Sequence, residues 1–217
     1  MKLSAGAEFI YQIKEPTPVV TMLRPRSTEG QFIQEDRLIL SPYTPIVEYI
    51  DCFGNVCQRM LLPVGNVTIR SEVVAEVADN VDVNTQAAYV LIENLPSETL
   101  QFLFPSRYCQ SDSPVIGRLA VEITKKIWSG YEQVTAISEW IHQNIAYEYG
   151  VTESSTTALD ILDLKKGVCR DFTHLAISLC RSINIPSRMV VGYVKELKYI
   201  DLHAWFEVYL GGKWYAF

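Results

Sequence analysis

Five cysteines (Cys52, Cys57, Cys109, Cys169, Cys180) and three histidines (His142, His174, His203) hold the nucleophile and base chemistry open to this chain. A thiol attacks as its thiolate, and the backbone N–H groups and positive dipole end at a helix start favour that form. Cys169 heads the stretch Cys169 to Ile183, in which Phe172, Leu175, Ala176, Leu179 and Ile183 share one helical stripe and Pro186 lies just beyond the end. The thiol therefore belongs in a first helical turn. An imidazolium held against such a thiol brings its pKa from about 8.5 into roughly the 3.5–7.5 range. His174 is about 140° round the helix from Cys169, and His142 falls in an earlier helical stretch, so both read as structural. His203 opens a strand, from which an imidazole can project towards a helix packed on the sheet, and it is the candidate general base. The chemistry of such a pair is acyl transfer: thiolate attack on an amide carbonyl, with the imidazolium protonating the leaving amine.

The remaining candidates read as structural. Cys180, about three helical turns after Cys169, is a small core residue. Cys52 and Cys57 span C-x4-C with no second Cys or His pair to complete a zinc tetrahedron, no C-x-x-C pair occurs, and no calcium-type loop is present. Neither metal nor cofactor is expected. Asp171, in the first turn with Cys169, complements the helix dipole. Trp205 and Tyr209 share a strand face with His203, and Tyr147 and Tyr149 are candidates for the rim of a cleft.

The elements that must position these side chains form two blocks. From Ala7 to Phe104 short alternating or β-branched segments are punctuated by Pro, Gly, Asn and Asp, predicting about seven antiparallel strands: 8–13, 19–23, 31–41, 46–50, 56–62, 66–77 and 87–92. That pattern suggests a β-sandwich, with a tight hairpin at Asp51 to Asn55. After a Pro- and Ser-rich boundary the period becomes helical over 116–127, 134–145, 158–164 and 169–183, with Gly167 as a helix cap or turn residue. Strands 188–194, 203–210 and 213–217 follow, the last two joined by Gly211-Gly212. The expected fold is α+β, with a β-rich domain over 1–105 and a domain of helices packed on an antiparallel sheet over 106–217.

Composition narrows the function. With 217 residues, 48% hydrophobic and 20% charged, the chain is a folded globular protein. Nineteen basic against 25 acidic residues oppose the basic surface that nucleic-acid binding needs. Residues 1–105 carry seven basic and 13 acidic residues and 106–217 carry 12 of each, which hints at two units. No apolar run approaches the ~20 residues of a membrane span, so no membrane partner is expected. An odd number of cysteines in a chain too large to need disulfide staples points to reduced thiols and a cytoplasmic setting.

The wording around the thiol and imidazole goes further. Lys166-Gly167-Val168-Cys169-Arg170-Asp171-Phe172, Leu179 to Arg188, Val191-Gly192-Tyr193 and His203-Ala204-Trp205-Phe206-Glu207-Val208-Tyr209 together resemble the core of the bacterial transglutaminase-like superfamily. Leu23-Arg24-Pro25-Arg26, Asp51 to Asn55 and Leu103-Phe104-Pro105-Ser106 resemble the β-rich region that precedes this core in many members. The resemblance implies a papain-like Cys-His-Asp arrangement, with Cys169 as nucleophile and His203 as its base and later acid. It implies no metal or cofactor. The family's third residue is an Asp directly after an aromatic block of the type Trp214 to Phe217; the sequence ends there and reads as cut at that strand. Of the nearby carboxylates, Glu207 lies about 13 Å along the strand from His203, too far to substitute, and Asp201 is in the approach loop. The expected activity is hydrolysis of a peptide, isopeptide or other amide bond in a peptide or protein substrate. Protease is favoured over cross-linking transferase because nothing specifies an amine acceptor, and a non-catalytic binding or scaffold protein on the same fold is the alternative.

Overall fold

The computed structural model describes residues 1–79, 82–195 and 202–217. It divides into two compact units, Met1–Val81 and Asp82–Phe217.

Among the described residues, the first unit contains six strands: β1 (Lys2–Ile13), β2 (Thr17–Arg24), β3 (Gln31–Ser41), β4 (Val47–Ile50), β5 (Val56–Leu62) and β6 (Gly65–Val77). They form two antiparallel three-stranded sheets, in the orders β1-β6-β3 and β2-β5-β4. Alternation sends Phe9 and Ile13, Val67 and Ile69, and Leu38 and Leu40 from the first sheet onto Val19, Leu23, Met60 and Leu62 from the second, the apolar filling of a sandwich. The Asp51 carboxylate makes the predicted β4–β5 hairpin by accepting the N–H groups of Phe53 and Asn55 at 2.9 and 2.8 Å, and Gly54 takes the positive φ of 80°.

The second unit contains α1 (Ser97–Leu100), α2 (Pro114–Ile123), α3 (Gly130–Asn144), β7 (Ala146–Tyr147), α4 (Ala158–Leu164), β8 (Lys166–Gly167), α5 (Cys169–Ser182), β9 (Ser187–Gly192), β10 (His203–Leu210) and β11 (Lys213–Ala216). Three of the helices start on a side-chain cap: Ser113 before Pro114 for α2, Ser129 for α3, and a Thr157–Asp160 capping box for α4. β10 is central in an antiparallel sheet of order β11-β10-β9, and α5 packs along it. Ile116, Val134, Ile137, Ile141, Ile161, Leu175 and Leu179 from the helices meet Phe206, Val208 and Leu210 of β10 in one core.

Four expectations change. The division falls at 81/82, so residues 82–105 belong to the second unit rather than the first. The segment 87–92 is not a strand. Tyr131 and Gly211 donate their N–H groups to Ala87 O and Ala88 O, and Ala87 is buried in the second unit's core, so its apolar residues serve packing rather than a ladder. The helix expected over 116–127 ends at Ile123, where Thr124 Oγ1 donates to Ala120 O at 2.8 Å and Lys126 adopts a φ of 68°. The turn after α4 is made by Lys165, in the left-handed region at φ 57°, and Gly167 instead supplies space beside α5.

Candidate active site

Cys169 is the first residue of the 14-residue helix α5, and its thiol is half-buried. The preceding residue, Val168, has no side chain able to cap the helix. Asp171 reaches back instead, its Oδ2 accepting the Val168 N–H at 2.9 Å. The N–H groups of Asp171 and Phe172 bond to Val168 O at 2.9 and 3.0 Å, closing the first turn. Asp171 is wholly buried, and a Cβ on Gly167 would lie 2.8 Å from the Asp171 Cβ, so a glycine two residues before the thiol lets the carboxylate in. The expected dipole-complementing role of Asp171 thus takes the form of a cap made from inside the fold.

Tyr147 lies close enough to Cys169 for both the thiol and the backbone N–H to act on its hydroxyl. β7 pairs in parallel with β8, setting Tyr147 opposite Gly167. The Tyr147 ring stands edge-on to Phe172 at 5.7 Å and to Tyr149 at 5.4 Å. Partial burial, a hydrogen bond to Tyr149 and the adjacent Cys169 thiol raise the phenol's pKa, so it keeps its proton at neutral pH. Sequence reading placed these tyrosines only at a cleft rim. A two-residue parallel pairing leaves no periodicity by which Tyr147 could have been assigned to the thiol.

The other thiols are poor nucleophiles or lie elsewhere. Burial raises the pKa of Cys109 and pushes that of Cys180 up to about 12. Cys57 is buried and Cys52 is exposed in the β4–β5 turn of the first unit.

His203 is the first residue of β10, opposite Gly192 on β9, and is half-buried. Ala204, Phe206, Val208 and Leu210 take the buried face of the strand, three of them in the core shared with α5, which leaves His203 with Trp205, Glu207 and Tyr209 on the other. The pleat therefore gives the helix-packed core to the alternate set, and the imidazole stands at the end of the strand. Gly192 makes room there, since a Cβ on it would fall 2.9 Å from the Trp205 ring. Among the described residues no hydrogen bond joins Cys169 Sγ to His203. Glu207 is held by Arg188 at 2.7 Å, and the Arg188 guanidinium lies 4.0 Å over Trp214, so this carboxylate is engaged away from the imidazole. Asp201 lies outside the described residues.

His142 is in the last turn of α3. His174 is buried in α5, stacked on Tyr108 at 5.1 Å; burial and the nearby Arg170 push its pKa down to about 4, and it is a neutral core histidine. Among the described residues no three His, Cys, Asp or Glu side chains form a metal-ligand group, and no helix is long and apolar enough to cross a membrane. A trough of about 720 Å³ in the first unit, lined by Gly6, Glu35, Arg37, Arg70 and Glu72, contains no thiol or imidazole.

Residues 117–217 match the family model described as the transglutaminase-like superfamily. An uncharacterized protein of Mycobacterium leprae is 29% identical over 210 residues, which span 88% of this chain and 72% of that protein. The solved structure of a "putative cysteine protease" from Cytophaga hutchinsonii superposes with a TM-score of 0.88 at 32% identity, over 100% of this chain and 78% of its own. The periplasmic domain of TgpA from Pseudomonas aeruginosa superposes with a TM-score of 0.52 at 17% identity, over 99% of this chain and 69% of its own, a likeness of fold.

Proposed function

Because this chain belongs to the transglutaminase-like superfamily, we propose that Cys169 is the nucleophile of a cysteine-dependent hydrolase acting on peptide, isopeptide or other amide bonds, with His203 as base and then acid. The observation that carries the reading is the half-buried thiol at the first position of α5. A helix start favours the thiolate and offers donors to a developing oxyanion.

In this mechanism His203 takes the Cys169 proton, and the thiolate adds to the amide carbonyl carbon. The oxygen of the tetrahedral intermediate is received by the Cys169 N–H. The Tyr147 hydroxyl, which lies by Cys169 and retains its proton, is the second donor once the oxyanion has taken the place that the Tyr147 oxygen holds against the Cys169 N–H. Loss of one such donor typically costs about 10²–10³ in turnover. The His203 imidazolium then protonates the leaving nitrogen and the C–N bond breaks, leaving a thioester on Cys169. Water, deprotonated by His203, releases the acid and restores the thiol. An amine in place of water would make the same site a transferase.

Active-site titration with a panel of peptide p-nitrophenyl esters tests the reading. One equivalent of nitrophenolate released in a burst, an acyl adduct on the Cys169 peptide by mass spectrometry, loss of both in Cys169→Ser and slowing in His203→Ala are expected. Added amine competing with water for the adduct would select transfer over hydrolysis. Absence of both burst and adduct across the panel would favour a non-catalytic binding module, the reading to which the lack of a Cys169–His203 hydrogen bond lends support.

A further inference from the structure

We propose that Asp171 is a positioning residue for Cys169, its buried carboxylate locked by Thr152 and Arg170 into one clamp; this rests on the nucleophile reading above. The Asp171 carboxylate is completely buried, a place where a charge is unfavourable unless every lone pair is engaged. Its donors are specific. Oδ2 accepts from Val168 N at 2.9 Å and from Thr152 Oγ1 at 2.6 Å, and Oδ1 accepts from Arg170 Nε at 3.1 Å and Nη2 at 2.8 Å. Arg170 Nη2 also reaches Thr152 Oγ1 at 3.1 Å and Glu153 O at 2.9 Å.

Val168 and Arg170 are the residues on either side of the thiol, so both neighbours of Cys169 are bound to one carboxylate. Thr152 and Glu153 belong to the loop that leaves β7 a few residues after Tyr147. That loop and the helix start are therefore fixed to the same group, and the clamp ties the segment that follows Tyr147 to the two residues flanking Cys169. Capping the helix alone would need one acceptor for Val168 N–H; the bonds to Thr152 and Arg170 are additional to that need.

Among the described residues, the charged and titratable groups near the helix start are Arg170, Asp171 and His174 from α5, Tyr147 of β7 with its neighbour Tyr149 and, by the reading above, His203. Glu148 is paired with Lys166 at 3.1 Å. With Arg170 on its carboxylate, Asp171 presents little net charge to the thiol. Removing the Thr152 hydroxyl leaves the buried anion less well neutralised, and a less neutralised anion disfavours a neighbouring thiolate. Loosening the loop acts in the same direction by removing the fixed surroundings of the sulfur.

The experiment is site-resolved iodoacetamide alkylation against pH for the wild type, Thr152→Val, Thr152→Ser and His203→Ala. Thr152→Val keeps the side-chain shape without the hydroxyl. At pH 6 it is expected to slow Cys169 about five- to tenfold, with less than a twofold change in the plateau above pH 9, so the midpoint of the rate curve moves upward. Thr152→Ser is expected to restore the wild-type curve, and Cys109 and Cys180 should stay unreactive throughout. A Thr152→Val curve that superimposes on the wild type overturns the proposal. So does slowing accompanied by reaction of Cys109 and Cys180, which marks a merely structural role. If wild-type Cys169 is already slow below pH 7, the nucleophile reading fails and the clamp proposal falls with it; a fast wild type with an unaffected Thr152→Val removes the clamp alone.

Discussion

The same helix carries a thiol at its start and an imidazole five residues later, and burial separates their roles. Cys169 keeps access to solvent, whereas His174 is stacked on Tyr108 with its pKa pushed down to about 4 by burial and by Arg170. Above pH 6.5 His174 is neutral in both the folded and unfolded chain and adds no pH dependence. Below 6.5 the unfolded chain binds a proton that the folded chain refuses, so stability falls until about pH 4 and then levels, by about 3 kcal/mol in all. His174→Phe keeps a ring against Tyr108 and removes this effect. Urea unfolding at pH 7 and pH 4.5 should show the variant losing about 2 kcal/mol less than the wild type between the two; equal losses would contradict a buried neutral imidazole. The helix stripe that begins at Cys169 and the strand that begins at His203 make the two residues candidates in the sequence, and the family resemblance of the wording around them singles them out. Tyr147 and Thr152 could not be tied to the thiol, since their link to it runs through a two-residue parallel pairing and one buried carboxylate.

At the scale of elements, the start of α3 shows how tightly the second unit is assembled. Gly130 lies where a Cβ would be 2.6 Å from Tyr89 N and 2.8 Å from Leu210 Cδ2. The Tyr89 backbone has little freedom to withdraw, because neighbouring Ala87 O and Ala88 O accept from Tyr131 N and Gly211 N. Gly130→Ala should therefore destabilise the protein by about 1–3 kcal/mol, as overpacking does, read as a lower urea midpoint with an unchanged slope. An unchanged midpoint would mean that the segment yields. This same segment explains the misread strand at 87–92. β-strand alternation and close packing of an irregular chain both require apolar residues, and only the hydrogen-bond partners distinguish them. Where alternation coincided with a ladder, as in β3, β5 and β10, the predicted bounds match the observed ones.

For the whole molecule, the boundary at 81/82 changes the meaning of the charge distribution. Divided there, residues 1–81 carry seven basic and ten acidic residues and 82–217 carry 12 and 15, a net −3 each, so the acidity is shared rather than confined to the front. The cut at Pro105 followed composition, which detects Pro and Ser but not that Ala87 and Tyr89 pack into the helical core. A fragment 82–217 should unfold cooperatively in urea, and a fragment 106–217, deprived of Ala87, Tyr89 and Phe102, should not; equal cooperativity would return the boundary to 105. The central claim, that Cys169 is a nucleophile activated by His203, is tested most directly by the alkylation rate of each cysteine at pH 6 in the wild type and in His203→Ala. The account predicts that Cys169 reacts at least tenfold faster than exposed Cys52 and that His203→Ala removes this advantage. A Cys169 rate no higher than that of Cys52, or one indifferent to His203, would contradict it.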